Sequence, residues 1–230
     1  MNAKRIILFT LLPAILTAPS AGQIIEQPNY ALKSHETLEI RKIERTSGAT
    51  VFYMSVENRI SGGYFCADNN TFIVSPDGSR LKLVSSNGIP VCPDVYRFKL
   101  PGERLDFILT FPPLQEEPGW IDLIEDCPDN CFSFFGITPD PALNNAIEEA
   151  FSLNGKGESS KALDSFIGMA GAAEDGGRMI GGLLYLNIIK LAEQTGNKAL
   201  ASEWYGKLVS SGIPRREMIV KHLNSQGIKY

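Results

Sequence analysis

The stretch Phe132-Ser133-Phe134-Phe135-Gly136-Ile137-Thr138-Pro139-Asp140-Pro141-Ala142 divides the chain into two halves of different rhythm. Before it, apolar residues alternate with polar ones, the period of a half-buried strand. After it, they recur every three to four residues, the period of an amphipathic helix. Two prolines flanking an acid cannot continue a strand ladder, and Asp140-Pro141 suits a helix start, with the acid as cap and proline at the first helical position. The reading places a domain boundary here: 1–22 a leader, 23–138 a β domain, 139–230 a helical domain.

Upstream, eight strand-like runs are expected: Thr37–Arg41, Val51–Val56, Thr71–Val74, Arg80–Val84, Val95–Leu100, Leu105–Phe111, Trp120–Ile124 and Phe132–Ile137. Asp77-Gly78 lies between two of them and signals a hairpin. No helical pattern interrupts the series. Two antiparallel sheets packed face to face, an immunoglobulin-like sandwich, would bury such strands; a partly open barrel is the alternative. Downstream, five helices are expected over Ala142–Leu153, Ser159–Ala173, Arg178–Gln194, Lys198–Ser210 and Arg215–Asn224, with short breaks that make neighbours antiparallel. The fold class is therefore α+β in two domains.

The N-terminus carries Lys4-Arg5, thirteen mostly apolar residues from Ile6 to Ala18, and then small residues through Gly22. That arrangement reads as a secretory signal peptide. It is too short for a spanning helix, which needs about 20 apolar residues. Cleavage after Ser20, Ala21 or Gly22 fits. The expected protein is exported, periplasmic or extracellular, with no transmembrane segment after cleavage. Hydrophobic residues at 43% and charged residues at 21% exclude a disordered tail, a collagen-like chain and a multispanning membrane protein. A formal net charge of −4 argues against a nucleic-acid partner.

In an oxidising compartment the four cysteines, Cys66, Cys92, Cys127 and Cys131, suggest disulfides. Of three possible connectivities, Cys66–Cys92 with Cys127–Cys131 is preferred, the second pair enclosing the turn-forming Pro128-Asp129-Asn130. A zinc site using all four, or a redox pair, is the competing reading. However, only Cys127 and Cys131 have close spacing.

The helical half contains an internal repeat. Gly157, Ala162, Phe166 and Met169 share their spacing with Gly196, Ala201, Tyr205 and Leu208, 39 residues later. In these positions the chain resembles the tetratricopeptide repeat family, which has a glycine at the turn, a small residue in the second helix, an aromatic one turn on and a further packing residue. Pro214 stands one position beyond the family's closing proline. The period is longer than the family's, and Glu149 and Ile189 stand where a core leucine and a small residue are usual. The resemblance implies a degenerate two-unit helical repeat capped by Arg215–Asn224. Two units are fewer than such arrays need alone, so the β half is expected to buttress the first helix. The β half, through Phe107–Leu114, Trp120–Glu125 and Phe132–Ile137, resembles the ends of sandwich domains in exported proteins of Bacteroidetes-type bacteria.

No nucleophile elbow, zinc-protease motif, P-loop or dinucleotide fingerprint is present. His35 and His222 have polar neighbours and are read as solvated. Glu116-Glu117 and the cluster Asp122, Glu125, Asp126 and Asp129 could serve as a glycosidase pair or, with Asn130, as calcium ligands; the preferred reading is solvated strand-end and turn residues. The glycine-rich Gly176–Gly182 segment is read as a packing or turn element rather than an anion site, and Tyr185, Trp204 and Tyr205 as core. The expected function is a non-enzymatic, cofactor-free interaction or scaffold protein of the cell envelope, binding a protein or peptide partner through the helical repeat, the sandwich or both. The alternative is a carbohydrate-active hydrolase or a calcium or small-molecule binding module built on Asp122–Asp129.

Overall fold

The computed structural model describes residues 22–114 and 118–230; the leader reading, which covers 1–22, and Glu116-Glu117 lie outside them but for Gly22. The described chain is α+β, with antiparallel sheets in its N-terminal half and five helices in its C-terminal half. The strands are β1 (Gln23–Glu26), β2 (Leu32–Lys33), β3 (Leu38–Arg45), β4 (Thr50–Glu57), β5 (Tyr64–Phe65), β6 (Thr71–Val74), β7 (Arg80–Lys82), β8 (Ser85–Asn87), β9 (Tyr96–Arg97), β10 (Arg104–Phe111), β11 (Ile121–Glu125) and β12 (Ser133–Ile137). The helices are α1 (Pro141–Gly155), α2 (Ser159–Asp175), α3 (Gly182–Gln194), α4 (Lys198–Ser210) and α5 (Arg216–Ser225).

One five-stranded sheet runs β1-β3-β4-β10-β8, a second runs β2-β12-β11-β6-β7, and β5 and β9 form a separate ribbon. Period-two patterning explains the first. In β10, Phe107, Leu109 and Phe111 are buried, while the residues between them are not. The buried set packs on Phe52 and Met54 of β4 and on Ile73, Leu123 and Phe134 of the second sheet, so the two sheets share one core. At Asp77-Gly78 the hairpin joins β6 to β7, with Gly78 at φ +84° and Asp77 accepting from Ser79 N–H. The short β1, β2, β5 and β8 were not foreseen, having too few residues to establish a period, and Val95–Leu100 contracts to Tyr96–Arg97.

Asp140 caps α1 by accepting from Ala142 N–H and Leu143 N–H, with Pro141 following it. Successive helices pack against each other from α1 to α5. Gly157 and Gly196 both take left-handed conformations at interhelical turns (φ +82° and +76°). Ala162, Phe166, Ala201, Tyr205 and Leu208 are buried, as are Tyr185 and Trp204, which meet edge to face. Expected from Arg178, α3 starts only at Gly182, with Gly181 extended at its N-cap and 178–180 outside any helix. Trp120, expected in a strand, precedes β11 and belongs to the helical core.

The two halves meet along a seam. Asn144 Oδ1 in α1 accepts from both the backbone and side-chain N–H of Asn29, and Arg45 donates to Pro139 O. At the other end, a bulge places Phe135 and Gly136 opposite Asp122. Gly136 has φ +63°, and a Cβ there would lie 3.2 Å from Ala31 Cβ and 3.5 Å from Leu183 N. Gly136→Ala should therefore cost about 1–3 kcal/mol. By contrast, Gly168→Ala, on an exposed helical site with open space, should gain about 0.5–1 kcal/mol. Urea unfolding of both variants measures the contrast.

Disulfides join Cys66 to Cys92 and Cys127 to Cys131, which suits an oxidising compartment. The first closes a loop of sequence separation 26, for which chain entropy gives about 3 kcal/mol; the second, of separation 4, about 2 kcal/mol. The paired substitution Cys66→Ser/Cys92→Ser should thus lower unfolding free energy more than Cys127→Ser/Cys131→Ser does, measured by denaturant titration without reductant.

Candidate binding cleft between sheets and helices

Pro112-Pro113 ends β10, since neither residue can donate to the ladder. The chain leaves the sheet there, and Leu114 N–H is secured by Thr50 Oγ1 at 3.0 Å. At the end of α2, Gly177 (φ +65°) turns the chain, with Arg178 N–H reaching back to Ala173 O. The connector that follows buries Ile180 and leaves Arg178 and Met179 exposed. These segments, with the β6–β7 hairpin, enclose a cleft of about 520 Å³. Its walls are mainly apolar, built from Pro76, Leu81, Pro112, Pro113, Pro118 and Met179, and among the described residues its ionisable groups are Asp77 and Arg178. A smaller hollow of about 120 Å³ continues from it at Gly119, Arg178 and Met179 toward α1 and α2.

None of these cleft residues was singled out as a ligand site from sequence. Arg178 and Met179 were assigned to a helix, and the proline-rich walls come from segments remote in sequence. The proline density at 112–118 was the available signal, since it forbids a continuing strand.

The acidic cluster is dispersed, and its reading as solvated holds for Asp126 and Asp129 but is corrected for Asp122 and Glu125. Asp126 and Asp129 are exposed, Asp126 lying 3.4 Å from Arg80. Asp122 and Glu125, however, are buried. Three positions apart on β11, they point to opposite sides of the sheet. Glu125 shares the side of Ile121 and Leu123. Its Oε1 accepts from Asp68 N–H at 2.7 Å and its Oε2 from Phe132 N–H at 3.0 Å. Burial pushes its carboxyl above the usual range against those two donors. Both oxygens are engaged in fixing loops, and Asp122 lies beyond the sheet, so the two acids cannot flank one glycosidic bond. Among the described residues, no group of three or more His, Cys, Asp or Glu side chains is placed to hold a metal ion.

Asp122 faces the helices, 2% exposed. Its Oδ1 accepts from Gly136 N–H at 2.8 Å, and its Oδ2 lies 3.7 Å from Arg215 Nη1. Trp120, Leu32, Phe135 and Ile219 surround a cavity of about 10 Å³ beside it, and the buried Trp120 Nε1 has no hydrogen-bond acceptor among the described residues. Arg215 caps α5 in the left-handed region, φ +58°, with its guanidinium over the Phe135 ring. His35 Nδ1 lies 2.8 Å from Ser34 Oγ, but that hydroxyl also accepts from Ser133 N–H and serves as a turn anchor. Burial and then Lys190 pull the His222 imidazole below its usual pKa.

No protein-family model, curated protein or solved structure matches this chain.

Burial pushes the Asp122 carboxyl up to about 6, against Gly136 N–H and Arg215, which pull it down. The folded protein therefore holds this proton more tightly than the unfolded chain does. Stability contributed by Asp122 falls as pH rises from about 4 to 6, by about 2–3 kcal/mol in total. Asp122→Asn, which keeps an acceptor for Gly136 N–H, should abolish that component and stabilise the fold at neutral pH relative to wild type. Urea titrations of both proteins at about pH 4, 5, 6 and 7.5 would reveal it as a difference that grows with pH.

Proposed function

We propose that this chain is an exported, non-enzymatic interaction protein of a cell envelope, and that it holds an extended apolar segment of a partner protein in the cleft between its sheets and helices. The observation that carries the reading is the cleft itself. At about 520 Å³, it falls within the size range of ligand sites, and both halves of the chain contribute walls. Proline walls lose little freedom when a ligand docks, which keeps the ordering cost of binding low. Asp77 and Arg178 would orient the segment through its backbone or its charges.

Three further features support the reading. The paired disulfides agree with export, as does the leader-like N-terminal pattern. Of the carboxylates that could have formed a hydrolase site, Asp122 and Glu125 are separated by the sheet and committed to backbone donors. The resemblance of the helical half to tetratricopeptide repeats, and of the β half to immunoglobulin-like sandwiches of exported proteins, belongs with an interaction role. The aromatic residues of the repeat are buried, so partner binding falls to the cleft rather than to an aromatic helical groove.

Selection of a random-peptide library on the oxidised protein tests the proposal. The expected result is enrichment of apolar peptides whose affinity drops about tenfold or more on Met179→Asp or Leu81→Asp, with Val209→Asp, outside the cleft, as an unaffected control. Absence of enrichment, or peptides indifferent to both cleft substitutions, would overturn it.

A further inference from the structure

One end of the β half presents three apolar side chains to solvent. Ile60 is 65% exposed, Tyr64 63% and Leu100 68%. They come from two separate segments, 58–64 and 97–103, and the structure holds those segments together firmly. The buried Asn58 donates through Nδ2 to Ile60 O at 2.8 Å and to Leu100 O at 2.9 Å, so one nitrogen ties both segments. Its backbone N–H donates to Glu103 O, its carbonyl accepts from Gly102 N–H, and Phe98 N–H donates to Gly63 O. Gly63 lies so close against the Asn58 carboxamide that no side chain fits there. Tyr64 pairs with Arg97 across the β5–β9 ribbon. Immediately below, the Cys66–Cys92 disulfide and the buried Phe98 close the base.

Exposure of this kind is therefore built in, not a result of slack. Holding large apolar side chains in water is unfavourable, and three of them on two loops tied together by one residue suit a contact surface.

The charges around the cluster indicate what it contacts. Arg59, Arg97, Lys99 and Arg104 flank it. Arg59 and Arg104 are near Glu57, and Arg59 also near Glu36. Glu103 accepts from Tyr96 O–H, Lys99 N–H and Leu100 N–H and also feels the Lys99 ammonium. Among the described residues, neither Arg97 nor Lys99 has a carboxylate at ion-pair distance; Arg97 lies 6.0 Å over the Tyr64 ring. A chain of net charge −4 thus carries, beside these exposed apolar side chains, an arginine without a carboxylate at ion-pair distance and a lysine whose nearest acid, Glu103, is already engaged by three hydrogen bonds. Apolar tips ringed by arginine and lysine match the boundary between lipid tails and anionic headgroups, where tyrosine also partitions.

We infer that this end of the molecule is a peripheral membrane-docking tip. Ile60 and Leu100 enter the acyl boundary of an anionic bilayer, Tyr64 sits at headgroup level, and Arg97 and Lys99 engage phosphates. The surface is separate from the cleft and does not depend on what the cleft binds.

Flotation of the oxidised protein with phosphatidylcholine vesicles, with and without phosphatidylglycerol, tests the inference. The protein should float with the anionic vesicles and much less with the neutral ones. Ile60→Asp/Leu100→Asp should weaken that binding at least tenfold, and Arg97→Gln/Lys99→Gln about tenfold or more, with loss of salt sensitivity. Because these side chains are exposed, unchanged thermal unfolding would certify that the variants are folded; Val84→Asp, at an exposed apolar site away from the tip, controls for added charge. No flotation with anionic vesicles, equal flotation with neutral ones, or binding that survives Ile60→Asp/Leu100→Asp would overturn the inference. So would self-association in sedimentation that the same double substitution abolishes without any vesicle binding, since the patch would then belong to a second copy.

Discussion

All five residues of β11, Ile121–Glu125, are buried, and this two-sided burial ties the molecule together. One face of the strand completes the core shared by the two sheets. On the other, Asp122 meets the helical layer and Ile124 packs with Val74 and Phe135, while Trp120 inserts into the helical core just before the strand begins. A strand open to solvent on one side would have carried alternating polar residues. Here the helical layer takes the place of water. It gains a platform in return, and at its far end α1 is held to Asn29 through Asn144.

That arrangement determines what the buried acids can do. Asp122 is kept out of water by the helices and is compensated by one backbone donor and a single arginine from the opposite layer. Its proton affinity rises as a direct consequence of the seam. Glu125, one strand face away, is compensated by two backbone donors from loops on either side of it. Each carboxylate therefore acts as a local fastener. Asp122 fixes the bulge at Gly136 and meets the start of α5, while Glu125 fixes the segment before β6 and the chain leaving the Cys127–Cys131 loop. Their shared strand gave them closeness in sequence, and the pleat separated them.

The surfaces available for binding arise where regular structure stops. The cleft is formed by a strand halted by two prolines, a hairpin turn and an extended connector between two helices, each fixed at its base. The tip is formed by two loops joined through Asn58. In both places backbone hydrogen bonds are satisfied locally, so the exposed side chains are displayed on fixed supports. A rigid display lowers the entropy lost on contact.

Local pattern was enough for much of this. Alternation in 37–111, the Asp77-Gly78 hairpin, the Asp140-Pro141 helix start and the five helices were legible because each depends on residues a few positions apart. The equal spacing of Gly157 and Gly196 with their buried partners was legible for the same reason. Short strands such as β2 and β8 were not, since two or three residues carry no period and exist only because a neighbour offers its edge. The extended Arg178–Gly181 connector looked helical, yet packing of Ile180 and of Gly181 against Trp120 holds it open. The fate of Asp122 was hidden most completely. In sequence it reads as one of a cluster with Glu125, Asp126 and Asp129, and only the helices folding back over the sheet remove it from water. The sequence by itself determined the elements and their order, because periodicity, capping and turn chemistry act over short range. Only the tertiary structure decided which acids are buried, which apolar residues are left exposed and where a cleft opens, because burial depends on segments that meet across the whole chain.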